Sequence, residues 1–496
     1  MAAFSYSRAA PMRTNIYGAL LGVALAAGTG WAMALVRPGV NEFLLCAIGA
    51  LLLIPLLQRW VTGSFDLFEP LMAFLAIYGL LFFARPIATL IEEEFVVFGY
   101  DIEQAIPSLL TVALIGLACF HLGYFLSWGE RLGRRLPPLP SELRPRPMLV
   151  YALALIGAGL LLLATFIYSS GGVSALQELM RGRTEVNAQF FEASNQYISQ
   201  GVYLLIPASL IVLITGVSKN RRAMILFALA VMLVIVMVSF PLGARRWLLI
   251  LVGSAFTLMY LRTDTRPRLL PLIVVSLVVF FGGITFVRDA RVAWFRESAG
   301  LTSIATESFT DPTYGLRRVV LGPDTMPAVA LAVELTAVPD AVGYRYGTAL
   351  LPDLAFSPIP RNLWPGKPLT AIDELRASLW GEPCNAAPGG TCLDLTLLGD
   401  FYLDLGIPGV AGGMFLLGLA LRALYSYYRA NRDNPAVLLV YAATLPFIVL
   451  YVRAGLVPVA GWAGIIIGPL LLGVLLAGRT TNHRYGHGEA KEVRLE

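Results

Sequence analysis

Long apolar runs, separated by short polar and charged stretches, set the pattern of this chain. A bilayer core takes about 20 apolar residues as a helix. Stretches of that kind lie at roughly 16–36, 41–58, 68–84, 106–128, 148–168, 200–217, 223–241, 246–261, 269–287, 397–423, 436–453 and 457–478. Helices are expected because backbone groups in lipid must bond within their own segment. The pattern predicts an all-α, polytopic membrane protein with about 12 transmembrane helices. Helices 1–9 fall in 1–287, with an outer loop at 169–199. A long extracytoplasmic loop domain follows at 288–396, then helices 10–12 in 397–478 and a polar tail at 479–496. No internal repeat is visible. Gly18 and Gly22, and Gly412, Gly413 and Gly418, are small residues suited to close helix packing.

Composition sharpens this reading. The 496 residues are 57% hydrophobic and only 14% charged, against about 25% charged in an ordinary globular chain. That excludes a soluble multidomain enzyme, a disordered chain and a small disulfide scaffold. Ala32-Met33-Ala34 has the form of a signal-peptidase site, but the first apolar run is too long for a simple signal region. The formal charge of +5 bears on topology. No basic run or zinc-ligand spacing points to nucleic acid.

With the N-terminus placed in the cytoplasm, the alternating segments on that side collect most of the positive charge. They hold Arg8, Arg13, Arg59, five arginines in 129–147, Lys219, Arg221, Arg222, Arg262, Arg266, Arg268, Arg422, Arg429, Arg432 and those of the tail. The short opposite loops hold only Arg37, Arg85, Arg181, Arg183, Arg245, Arg246 and Arg453. Long translocated loops are exempt from the positive-inside rule. Both termini are therefore expected in the cytoplasm, with 288–396 outside.

Three outer segments carry candidate chemistry. In 169–199, Ser174 can cap a short helix whose Leu176, Leu179 and Met180 share a face, with Arg181 and Arg183 after it. In the tight turn Pro241-Leu242-Gly243-Ala244-Arg245-Arg246-Trp247, two guanidiniums sit at the membrane edge. Snorkelling beside an anchoring Trp247 is the alternative reading there. The long loop opens with Arg288-Asp289-Ala290-Arg291 and later carries Ser357-Pro358-Ile359-Pro360-Arg361-Asn362-Leu363-Trp364-Pro365-Gly366-Lys367-Pro368. Its prolines exclude a regular helix or central strand. Arginine forks grip phosphate oxygens in pairs, and sugar faces stack on aromatic rings. Cys384 and Cys392 flank a short Pro-Gly-Gly turn, and an oxidising outer face would join them as a disulfide. Cys46, Cys119 and His121 lie inside apolar runs and read as packing residues. No metal site, P-loop or Ser-His-Asp arrangement stands out.

These segments together resemble the Wzy-type polymerases, integral membrane glycosyltransferases that polymerise O-antigen and related repeat units. The likeness runs in order through Gly171-Gly172-Val173-Ser174 on to Arg183, then Gly243-Ala244-Arg245-Arg246, then Ile359-Pro360-Arg361-Asn362-Leu363-Trp364-Pro365-Gly366-Lys367-Pro368. It ends in Leu398-Gly399-Asp400-Phe401-Tyr402-Leu403-Asp404-Leu405-Gly406-Ile407-Pro408-Gly409-Val410, and covers about residues 165–425. Where the family pattern has Glu, Asn and Phe, this chain has Asp400, Asp404 and Leu405.

The resemblance implies a helical fold related to the GT-C glycosyltransferases in a bacterial inner membrane. It implies undecaprenyl-diphosphate-linked oligosaccharide as substrate, with no nucleotide sugar, metal or other cofactor. A flippase and a chain-length regulator are the partners it implies beside membrane lipid. The departing diphosphate develops negative charge that a Mg²⁺ ion or fixed cations can stabilise, and the outer segments carry many arginines and no carboxylates of clear metal spacing. Arg245, Arg246, Arg288, Arg291 and Arg361 are the first candidates, followed by Arg183, Lys367 and Arg376. Trp364 and Tyr402 are candidates for the sugar. The acceptor hydroxyl can need a base. Asp400 is the candidate, with Asp289, Asp353, Asp373 and Glu374 as rivals, and a helix-entry carboxylate is the plainer reading of Asp400. Three other functions compete: an O-antigen ligase or other lipid-linked-sugar transferase, a 12-span transporter or flippase, and a scaffold for envelope assembly.

Overall fold

A computed structural model describes residues 39–169, 172, 200–239, 245–263, 317, 319–348, 350–356, 359, 364, 366–380 and 395–479. The described chain is a helical bundle with two pairs of two-residue strands. In chain order the helices are α1 Val40–Val61, α2 Pro70–Glu92, α3 Glu103–Phe125, α4 Ser127–Arg135, α5 Pro145–Ser169, α6 Gly201–Ser218, α7 Arg222–Ser239 and α8 Arg245–Thr263. Then come α9 Met326–Ala337, α10 Leu350–Phe356, α11 Ala371–Trp380, α12 Leu397–Ala430, α13 Pro435–Ala454 and α14 Leu456–Ala477.

Nine of these helices are long and apolar enough to cross a membrane: α1, α2, α3, α5, α6, α7, α12, α13 and α14. The protein is thus an all-α polytopic membrane protein. The run at 246–261 forms α8, a 19-residue helix that begins on Arg245 and Arg246 and has Arg262 in its last turn. The runs at 16–36 and 269–287 lie outside the described residues.

The apolar faces bury into two clusters. One joins α1, α2, α3, α9 and α12, with Phe74, Tyr78, Phe82 and Phe120 at its centre. The other joins α5, α6, α7, α8 and α14. Helix α13 belongs to both: Tyr441, Leu445 and Ile448 face the first, while Leu439, Ala442 and Phe447 face the second. Helices α3 and α12 touch backbone to backbone. A Cβ at Gly418 would overlap the Phe120 carbonyl, and one at Gly123 would overlap the Phe415 carbonyl. Such small-residue crossings draw helices together where lipid supplies no hydrophobic drive. Of the other four glycines expected to help, Gly413 lies under Phe401, Gly412 has open space beside it, and Gly18 and Gly22 lie outside the described residues.

The region read as an outer loop is not all loop. Residues 326–337 form α9, an apolar helix whose Ala328, Val329, Leu331, Ala332 and Val333 are buried in the first cluster. Its 12 residues extend only about 18 Å. That is short of the ~30 Å bilayer core.

Contacts between helix ends sort the described chain into two ends. At one, Arg59 meets Glu69, Arg422 meets Glu130, and Arg144 donates to the Ala477 carbonyl. At the other, Arg85 donates to the Val320 carbonyl, Arg245 meets Asp324, and Asp400 meets Leu456.

Candidate functional site

The second end gathers most of the described residues to which chemistry was assigned. Its framework is the segment just before α9. Three arginines from three long helices hold it. Arg85 of α2 donates to the Val320 carbonyl at 3.3 Å. Arg245, the first residue of α8, donates from Nη1 to Asp324 Oδ2 at 2.6 Å. Arg453, near the end of α13, donates from Nε to the Asp324 carbonyl at 2.9 Å and lies 3.6 Å from its Oδ1. Asp324 thus receives two guanidiniums from helices far apart in sequence. All three side chains are partly exposed, at 35%, 26% and 42% for Arg245, Arg453 and Asp324.

Arg246 takes a different position from its neighbour. Its guanidinium lies 4.2 Å from the ring centre of Trp462 and 5.9 Å from that of Trp247, within cation–π range. Trp247 is not an interfacial anchor. It is buried in the second cluster and stacks on Tyr203 with ring centres 3.7 Å apart.

Asp400 lies in the first turn of α12. Thr396 caps that turn, its Oγ1 accepting from Gly399 N at 3.2 Å. The Asp400 carboxylate accepts the backbone N–H of Leu456 at 2.5 Å. Leu456 opens α14, so Asp400 occupies the positive end of that helix and satisfies one of its unpaired donors. Gly455, at φ 80°, makes the turn between α13 and α14. A Cβ there would overlap the Asp400 carboxylate, so glycine is required for both backbone and space. The same turn carries Arg453. Arg453 and Leu456, the backbone partner of the candidate base, are therefore three residues apart along α13–α14.

Helix α12 then breaks. Gly406 has φ 65° and ψ −148°, and Pro408 follows. The freed carbonyls of Leu403 and Asp404 accept from Arg345 N at 3.2 Å and Tyr346 N at 2.7 Å, and Asp404 Oδ1 accepts from Gly347 N at 2.9 Å. Asp404, buried, thus staples the 345–347 turn to the break. Tyr402 projects beside Tyr344, with hydroxyls 3.5 Å apart and rings edge-on.

Next to Asp400 lies Glu334 of α9, which is fully buried. Neither of its oxygens has a hydrogen-bond partner among the described residues. Its carboxyl rests against Gly399, where a Cβ would overlap it. Burial, and then the charge of Asp400, raise the Glu334 carboxyl well above its usual range. Sequence reasoning missed this residue. The available signal was a lone acid in the apolar run Ala328-Val329-Ala330-Leu331-Ala332-Val333. Asp324 and the pairing role of Arg453 were missed too, because nothing local marks them.

The remaining candidates scatter. Arg376 pairs with Asp373 of its own helix at 3.3 Å. Asp373 also accepts from Thr370, and Glu374 pairs with Arg345. Asp353 accepts from Ala371 N at 3.1 Å, and burial followed by Asp373 and Glu374 raises its carboxyl. Lys367 donates to the Ile359 carbonyl at 3.0 Å, and Trp364 packs edge-on against Phe356. Arg183, Arg288, Arg291, Arg361, Asp289, Cys384 and Cys392 lie outside the described residues, as does the short helix expected after Ser174. Cys119 is half-buried without a disulfide, and buried His121 contacts the Leu51 carbonyl at 3.1 Å. Among the described residues, no group of three or more His, Cys, Asp or Glu side chains could hold a metal ion.

Chemically, this end offers two arginines on a shared and partly exposed acid, a third over a tryptophan, and a carboxylate fixed at a helix terminus. No family model matches the chain, and no solved structure matches it.

Proposed function

We propose that this end of the bundle polymerises polyprenyl-diphosphate-linked oligosaccharide repeat units, on the outer face of a bacterial inner membrane and within a GT-C-like fold of about 12 spans. The observation that carries the reading is the convergence of Arg245 and Arg453 on Asp324, with Arg453 in the same turn as Leu456, which holds Asp400. An acid that draws two guanidiniums from separate helices marks an anion position. A diphosphate competes for the same donors with more charge and more oxygens.

In the reaction, a hydroxyl of the incoming lipid-linked unit attacks the anomeric carbon at the end of the growing chain. The bond from that carbon to the diphosphate oxygen breaks, and the electron pair leaves with the lipid diphosphate. Arg245 and Arg453 stabilise that developing charge, with Arg246 beside them. The hydroxyl proton passes to Asp400, whose carboxylate the α14 terminus orients. Tyr402, Tyr344 and Trp462 provide faces for sugar rings.

The test is purified protein in liposomes with a synthetic lipid-linked repeat unit, with and without lipid A core. A ladder of lengths on the lipid carrier supports the polymerase, whereas transfer to core alone replaces it with a ligase. Asp400→Asn keeps an acceptor for Leu456 N but removes the base. It should lower the rate by roughly a hundredfold or more in protein that still folds. Undiminished polymer from Asp400→Asn would remove the acid from the reaction.

A further inference from the structure

Helix α4 sits at the opposite end of the bundle and has no part in this chemistry. It begins one residue after α3 stops, where Leu126 turns extended at φ −67° and ψ 139°. One face is packed against α12. Gly129 presses on the Arg422 side chain, and a Cβ at Gly133 would overlap the Ala423 carbonyl. Next around the helix come Trp128 and Leu132, four apart and 57% and 50% exposed, with Leu136, 42% exposed, just past its end. Beyond that stripe lie Arg131, Arg134 and Arg135, all exposed. Among the described residues, only Arg134 of the three has an acid within ion-pair distance, Glu130 at 3.9 Å. The order is protein-packed face, apolar stripe, basic face, which is the layout of a helix lying in a membrane interface. The neighbouring end of α1 adds Leu57, Trp60 and Val61, also exposed. It is joined to α4 through Arg59, Glu69, Arg422 and Glu130.

We propose that α4 is a binding site for anionic phospholipid, with Trp128 and Leu132 sunk among acyl chains and Arg131, Arg134 and Arg135 on the headgroup phosphates. The charge of the basic face, with little acid near it, selects an anionic lipid over a zwitterionic one. The position of α4, directly after a membrane-length helix, places that face at headgroup depth.

The full-length protein would be reconstituted in nanodiscs of phosphatidylcholine with phosphatidylglycerol, and co-released lipid counted by native mass spectrometry. The triple variant Arg131→Gln, Arg134→Gln, Arg135→Gln should retain at least about fivefold less phosphatidylglycerol than the parent chain. A control triple at Lys219, Arg221 and Arg222, exposed at the same end, should retain it. Equal retention by the α4 triple, or an equal loss in the control, overturns the proposal. A second measurement needs no variant: a photoactivatable phosphatidylglycerol should label residues 127–136 of the parent chain. Absence of label there refutes the site even if the triple variant fails to fold.

Discussion

Among the described residues, both ends of α12 carry buried or half-buried charged side chains, and they use them in opposite ways. At the Arg422 end the buried charges are matched. Glu69 receives Arg59 at 2.6 Å and the Tyr124 hydroxyl at 2.7 Å, and Arg422 lies between Glu69 and Glu130. Tyr425 donates to Asp66 at 2.8 Å, and Tyr441 donates to the Phe68 carbonyl at 2.5 Å. At the Asp400 end, Glu334 is buried without a donor among the described residues, and Asp400 takes a backbone N–H. Arg245 and Arg453 share one partly exposed acid. A paired buried network fixes how helices meet, even with one oxygen of Glu69 left without a hydrogen-bond partner among the described residues. An end with shared and unmatched charges can accept an anionic or hydroxyl-bearing substrate without dismantling its own fold.

The largest expected effect breaks the matched end. Arg422→Met leaves Glu130 without its buried partner and Glu69 with Arg59 alone, which should cost about 3–5 kcal/mol of stability. Thermal unfolding in detergent should register it as a large drop or as failure to purify. An unchanged midpoint would show that the network is hydrated and weak, and the contrast between the ends would lose its basis.

The next effect is on rate. Arg245→Lys and Arg453→Lys keep their charge near Asp324, so unfolding should hardly move. If each arginine binds the departing diphosphate as a planar fork, polymer formation should fall roughly a hundred- to a thousandfold. Near-normal polymer from both would return them to anchoring the segment before α9.

How much of this was legible in the sequence depended on range. Nine of the predicted spans are membrane-length helices because twenty apolar residues in a row leave few other structures. The break in α12 was encoded locally in Leu405-Gly406-Ile407-Pro408, where glycine takes φ 65° and proline cannot continue the donor ladder. The position of Arg245 at a helix end was readable from the same kind of local signal. Its partner was not: Asp324 lies 79 residues away, and Arg453 reaches the same acid across 129. Helix α9 escaped because it is half a span long, and Glu334 with it. The two arginines of the Arg-Arg pair looked equivalent, yet one meets an acid and the other a tryptophan. Helical rotation of about 100° per residue separates them.

A smaller effect tests the link between the cation pair and Asp400. Gly455→Ala asks an L residue to hold φ 80° and pushes a methyl into the Asp400 carboxylate. Backbone strain alone costs about 1–3 kcal/mol. Unfolding temperature should fall modestly, and polymer formation should fall further than in a control such as Gly464→Ala, where a Cβ meets nothing. Equal activity in the two would mean that the turn between α13 and α14 does not set the position of Asp400.

The smallest effect is the sharpest test of the unmatched end, because it predicts tolerance where a buried acid is removed. Glu334 has its carboxyl raised well above 4.5 by burial and by Asp400. A group with a raised folded-state pKa contributes its stability fully below the unfolded value, and loses that contribution as pH climbs through the folded value. Parent protein should therefore become less stable from about pH 5 upward on account of this residue. Glu334→Gln has the shape of the neutral acid and no titration. It should match the parent near pH 5, unfold at an equal or higher temperature at pH 8, and retain polymer formation. Glu334→Lys, by contrast, places a bulkier charge against Gly399 and should not fold. A large destabilisation of Glu334→Gln at both pH values would mean that the carboxylate is ionised and held by a cation. The Asp400 end would then be a second matched network.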